Sequence, residues 1–192
     1  MNRKQYKFSF TAASLQVPMM IRLAQKLIKE DITPGQLEPA DLRKERANTG
    51  IRELREFRDR LETLSRDELA LLADGPFDEQ KYISLVAFAR QYRFFYDFMV
   101  EVIAEKVSVF DFTLTDMDYN VFVNRKAVEH PKIENLTTNT LNKVKQQIFK
   151  VLEQGGILNN VRDRQIQVPL LSESFIQLLS DTNPMDLKLL LN

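Results

Sequence analysis

Glycine and proline punctuate this chain too rarely for an all-β fold. Five glycines and seven prolines in 192 residues cannot supply the tight turns that many short strands need, so the spacing of breakers favours long helices. Between the breakers, apolar residues recur at helical period. Leu15, Met19, Leu23, Leu27 and Ile28 mark one face of a helix over 15–30, with Pro18 tolerated in its first turn. Ile51, Leu54, Phe57 and Leu61 form a core stripe over 50–63, and Leu141, Val144, Ile148, Val151 and Leu152 another over 138–154. Start signals agree with this reading. Thr33-Pro34-Gly35-Gln36 and Ser65-Arg66-Asp67-Glu68 are capping boxes, and Asn48-Thr49 caps the 50–63 helix. A short, weak helix disturbed by Pro39 precedes that cap. Gly75-Pro76 ends a two-turn helix and is the best boundary between an N-terminal helical domain, 1–75, and a C-terminal one, 76–192.

The stretch from Asp78 to about Phe110 is dense in aromatics: Tyr82, Phe88, Tyr92, Phe94, Phe95, Tyr96 and Phe98. Spread around every helix face, they predict a buried central helix or helix pair rather than an aromatic ligand box. Tyr6, Phe8 and Phe10 alternate with polar residues and predict either an extended arm or a segment tucked into the core. Thr115-Asp116-Met117-Asp118 opens a further helix that ends before Pro131. Its two aspartates read as partners of the helix dipole rather than as a catalytic carboxylate pair. Gly155-Gly156 stops the 138–154 helix. Ile157-Leu158, the polar run 159–164 and Gln165 to Val168 then read as strand, loop, strand. Two short helices follow, one capped by Ser172 and one starting at Pro184. The fold class expected is all-α: a multi-helix globular protein with helix-turn-helix-like units and one small β-hairpin as a wing.

The residue inventory speaks against an enzyme. Without cysteine there is no disulfide framework, no thiolate zinc site and no thiol nucleophile. The single histidine, His130 in Val-Glu-His-Pro, reads as a helix-end residue interacting with the dipole. No glycine-rich phosphate loop, paired-His motif, nucleophile elbow or EF-hand loop is present. No catalytic residue, metal, cofactor or small-molecule substrate is therefore expected. The longest uncharged stretch, Phe8 to Ile21, contains Ser9, Thr11, Ser14, Gln16 and Pro18. That is too polar for a membrane span, so a soluble cytoplasmic protein is expected.

Lys+Arg and Asp+Glu balance at 27 each, but unevenly along the chain. Residues 1–64 carry 13 basic and 9 acidic side chains (+4), 65–136 carry 8 and 13 (−5), 137–164 carry 5 and 2 (+3), and 165–192 carry 1 and 3 (−2). Two basic elements thus flank an acidic middle. In the first, Arg52, Arg55 and Arg58, with Arg60, lie on the 50–63 helix behind Arg46 and the capping Thr49. Here i,i+4 spacing to Glu56, Asp59 and Glu62 allows self-neutralising surface pairs. In the second, a helix exposes Asn139, Asn142, Lys143, Gln146 and Lys150 along one stripe, and the following loop adds Arg162 and Arg164. Asn and Gln amides can pair with adenine edges in a major groove, and Lys can meet phosphate or guanine. A merely solvated helix face would use the same residue types.

The chain also resembles a known family. The resemblance is carried by Tyr6-Lys7-Phe8-Ser9-Phe10-Thr11-Ala12, by Thr49-Gly50-Ile51-Arg52-Glu53-Leu54-Arg55-Glu56 and Arg60-Leu61, and by Tyr92-Arg93-Phe94 through Phe98. It continues at Val100-Glu101-Val102, Glu105-Lys106, Asp118-Tyr119, Phe122, Thr140, Lys143, Phe149, Leu152, Gly156-Ile157-Leu158, Pro169 and Leu171-Ser172. These features are similar to the BrxA family, a core component of BREX (bacteriophage exclusion) phage-defence systems once labelled an inner membrane protein. Against that pattern the 137–153 helix is less basic here, with Gln146, Gln147 and Glu153. The resemblance implies an all-helical protein with helix-turn-helix-like units that binds double-stranded DNA. Its partners would be the other BREX components: a methyltransferase, an ATPase and a phosphatase-like protein. The alternative is a protein–protein adaptor that scaffolds those components and touches DNA only incidentally.

Overall fold

The computed structural model describes residues 6–42 and 47–191, with side chains from residue 50 onward in the second segment. Ten α-helices run through it: α1 (Val17–Glu30), α2 (Ala47–Leu61), α3 (Arg66–Asp74), α4 (Phe77–Gln91), α5 (Arg93–Phe98), α6 (Ala104–Ser108), α7 (Asp116–Glu129), α8 (Pro131–Glu134), α9 (Thr138–Gln154) and α10 (Glu173–Thr182). A π-helical turn, Met99–Ile103, joins α5 to α6, and 3-10 turns occupy Ser9–Ala12, Pro34–Gln36, Pro39–Leu42 and Pro184–Leu190. The capping boxes at Thr33–Gln36, Ser65–Glu68 and Thr115–Asp118 form with both reciprocal bonds. Among the described residues no helix is long and apolar enough to cross a membrane.

Helix α4 is the axis of the core. Tyr82, Ile83, Leu85, Val86, Ala87, Phe88 and Ala89 are all buried, as an all-round apolar helix requires. At Tyr92 the backbone turns extended, φ −116° and ψ 90°, and the chain restarts as α5. The aromatics of the N-terminal arm tuck inward: Phe10 packs edge-on to Phe88 and Tyr92 with centroids 5.6 and 5.1 Å away, and Tyr6 meets Phe94 at 5.2 Å. Across Gly75-Pro76, α3 and α4 are separated by two residues. A Cβ on Gly75 would lie 2.5 Å from the Leu71 carbonyl oxygen, so the close approach requires glycine. An ion pair crosses the same point, Arg90 of α4 binding Glu68 of α3 at 2.6 Å, and Arg90 also binds Asp186 at 2.8 Å.

Two expectations need correction. Ile51, placed in the core stripe of α2, is 56% exposed. The inward face runs instead through Glu53, Leu54, Phe57, Arg60 and Leu61, and Ile51 lies off its edge. The small β-hairpin is also absent: among the described residues there is no strand, only isolated antiparallel bridges at Leu158–Ile166 and Thr113–Gln165. Its loop is held by side chains instead. Asn159 Oδ1 accepts from the Asn160 and Gln165 amides, and Asn160 Oδ1 from those of Arg162 and Asp163. Such bonds compete with a ladder, and Arg164 at φ +54° breaks the extended run.

Candidate nucleic-acid interface

The second basic element is built on α7, α8 and α9. Thr115 caps α7 by accepting from the Asp118 amide at 3.2 Å, and His130 closes it, its ring 4.2 Å from that of Tyr6. The single turn α8 then pins the connection through Ile133, which is 2% exposed. Thr137 caps α9, accepting from the Thr140 amide. Helix α9 buries Val144, Ile148, Phe149, Val151 and Leu152, and Tyr119 of α7 donates its hydroxyl to the Leu141 carbonyl at 3.2 Å. Burial raises the Tyr119 phenol well above its usual range, so the hydroxyl stays a donor at any physiological pH.

The opposite face of α9 carries Asn139, Asn142, Lys143, Gln146 and Lys150, all exposed. They follow one another at helical spacing and so line a single stripe. Neither Lys143 nor Lys150 meets an acidic partner among the described residues. Arg162 is exposed on the loop after α9. Arg164 is not presented in the same way: its guanidinium stacks 4.7 Å over Phe149 and binds Asp116 Oδ1 at 3.0 Å. Lys145 reaches the same carboxylate at 3.3 Å. Partial burial alone would raise the Asp116 carboxyl, but Lys145 and Arg164 outweigh it and hold the group below its usual range. The first-turn aspartate therefore ties α7 to α9 and the loop, which its sequence position did not signal.

The first basic element is less available. Arg52 and Arg55 on α2 are exposed with no acidic partner among the described residues. The i,i+4 pairs of Arg52 with Glu56 and of Arg55 with Asp59 do not form because these acids are engaged elsewhere. Glu56 turns inward to accept from the Tyr92 hydroxyl and from Ser9 at 3.1 Å, and Asp59 accepts from Gln91 at 2.8 Å. Arg58 is half-buried and donates to the Leu37 carbonyl. Arg60 is fully buried under Phe88, its guanidinium donating to the Ala13 and Ser14 carbonyls at 2.6 and 2.8 Å. Arg46 lies outside the described residues, as does the side chain of Thr49. The two basic helices meet at Gln16, whose backbone N–H bonds Gln154 Oε1 at 3.3 Å and whose side chain bonds Glu53 Oε1 at 2.5 Å.

These features define a class: a mostly helical protein whose two basic helices, α2 and α9, are packed on an aromatic core. The chain belongs to the BrxA family, whose model matches residues 4–183. It is 30% identical over 119 residues to a protein of Bacillus cereus (strain H3081.97) named BREX protein BrxA, an alignment covering 62% of this chain and 60% of that one. A protein of the same name from Escherichia coli O9:H4 (strain HS) is 29% identical over 128 residues, covering 66% of this chain and 60% of that one. The chain thus spans about 60% of the length of the curated relatives it matches. A crystal structure of an uncharacterized protein from Magnetospirillum magneticum shares the fold, with a TM-score of 0.81 over 98% of both chains at 18% identity.

Proposed function

We propose that this protein is a non-enzymatic, double-stranded-DNA-binding component of a BREX phage-defence system. Family membership supports the system. The observation that carries the DNA reading is the α9 stripe, where amides and unpaired lysines face solvent on a helix whose other side is locked into the core. The order of α7, turn, α9 and bridged loop, with a second bridge between Thr113 and Gln165, parallels a winged helix-turn-helix, with the 159–164 loop in place of a wing. In this reading Asn139, Asn142 and Gln146 reach base edges, while Lys143, Lys150 and Arg162 meet phosphate. Arg52 and Arg55 of α2 add backbone contacts, and Arg46, Thr49, Arg58 and Arg164 support those surfaces. A fluorescence anisotropy titration of a labelled duplex tests the reading: saturable binding at low salt supports it, and no binding there contradicts it.

One observation favours the adaptor reading. Phe110 is 83% exposed at φ +58°, and Val109 and Leu170 are 66% and 92% exposed. Phe110 occupies the left-handed position after α6, where the Asp111 N–H bonds the Lys106 carbonyl and its own N–H bonds that of Val107. Glycine would relieve that conformation, so an exposed aromatic held there suits a contact with another BREX component.

A further inference from the structure

Helices α2 and α9 are joined by the segment that precedes α1. The Ser9–Ala12 turn packs against both of them. Its continuation is pinned to α2 inside the core, where Arg60 donates to the Ala13 and Ser14 carbonyls and Leu15 is fully buried. Gln16 follows in the left-handed region, φ +49° and ψ 55°, a conformation that costs any residue with a Cβ and persists where its surroundings hold it. Both helices hold it. The Gln16 backbone N–H donates to Gln154 Oε1 of α9 at 3.3 Å, and Gln16 Nε2 donates to Glu53 Oε1 of α2 at 2.5 Å. Glu53 is buried, so loss of a donor to its carboxylate is costly.

Exposed cations stand beside both ends of this bridge. Arg52 precedes Glu53 and Arg55 follows two residues later, while Lys150 lies one turn before Gln154 on the same face of α9. From Lys150 to Arg52 the path passes only Gln154, Gln16 and Glu53. Even with those side chains fully extended, it is shorter than one turn of duplex, about 34 Å. Held at a fixed separation, two cationic sites act on one duplex at high effective concentration; released from it, they act separately.

We propose that Gln16 is a positioning residue for duplex binding, a role that rests on the DNA reading above. It holds Arg52 and Arg55 of α2 and Lys150 of α9 in one composite surface, on which a single duplex meets both helices within one turn. The chain contains no cysteine, so spin labels can be placed at Arg55→Cys and Lys150→Cys alone. Pulsed dipolar spectroscopy of the free chain should give one narrow distance, and Gln16→Gly should broaden it. Glycine accepts the left-handed backbone, so this change removes the bond to α2 without straining the segment. Gln154→Ala removes the bond to α9 and carries the test should the first variant unfold.

Anisotropy titrations of the same chains, unlabelled, with a fluorescent two-turn duplex then read the coupling. In the parent chain Arg52→Ala with Arg55→Ala should weaken binding by about tenfold or more. In the Gln16→Gly chain, itself weaker by about tenfold, the same arginine pair should cost less than about threefold. A merely structural role for Gln16 would leave that cost unchanged. A distance distribution unmoved by the variants, an arginine-pair cost equal in both backgrounds, or two duplexes bound per chain would overturn the proposal while duplex binding itself stands. No duplex binding by the parent chain would remove the DNA reading and this role together.

Discussion

Helices α2 and α9 both alternate an apolar stripe with charged and amide side chains, yet they place those polar groups differently. On α2 the inward face takes Glu53, Glu56 and Arg60, all buried, while Arg58 is tied to a backbone carbonyl. On α9 the buried face is wholly apolar, and the amides and lysines stay outside. The richer charge content of α2 is therefore largely structural, and the poorer content of α9 is available to a partner. Counting charges puts α2 well ahead, but counting the cations left without an acidic partner among the described residues gives two on each helix, Arg52 and Arg55 against Lys143 and Lys150.

The sharpest test of that contrast is Arg60→Ala. It strips donors from the Ala13 and Ser14 carbonyls inside an aromatic shell, and urea unfolding should register a loss of about 3–5 kcal/mol, the range for breaking a buried charged network. Arg52→Ala with Arg55→Ala, on the same helix, should stay within about 0.5 kcal/mol per site. Equal losses would erase the distinction between the two faces of α2.

Next in size is base reading by α9. Asn142→Ala with Gln146→Ala should weaken duplex binding on the order of 1–3 kcal/mol for each bidentate base contact, only on preferred sequences, with the salt dependence nearly intact. A loss equal on all sequences would move these residues from base edges to general packing.

The smallest effect concerns the tether at Asp116. Its carboxyl titrates below the usual range in the folded chain, so its contribution is present above the unfolded value of about 4 and fades as pH falls through the lower folded value. Protection of the 159–164 loop amides against exchange, taken relative to the unstructured rate at each pH, should fall below about pH 4, with little change in global stability because the pair is partly exposed. Asp186 has the opposite sign: its raised carboxyl favours the folded state most below about pH 4, and that contribution is lost as pH rises through the folded value. Asp186→Asn should remove that component from a pH series of unfolding midpoints.

Much of the fold was legible because its signals are local. The Ser65–Glu68 and Thr115–Asp118 boxes need only four residues, and the α9 stripe only its own period. What escaped depends on distant partners. Arg60 is buried because carbonyls 46 and 47 residues earlier receive it, and Glu56 leaves its i,i+4 arginine for a tyrosine 36 residues on. Arg164 was read as a free wing cation, but Asp116, 48 residues away, and the ring of Phe149 hold it. The expected hairpin fails to form for a local reason: alternation predicts strands, but Asn159 and Asn160 close the loop by their side chains instead.

The central claim, that free cations on α9 and α2 meet duplex phosphate, is tested most directly by the salt dependence of duplex affinity. For the unaltered chain log K should fall linearly with log salt, and Lys143→Ala with Lys150→Ala should reduce the slope by roughly 0.9 per lost phosphate contact, about two units together. Arg52→Ala with Arg55→Ala should do the same on every sequence. A slope unmoved by both pairs, in variants that remain folded by circular dichroism, would contradict the account and leave the adaptor reading in its place.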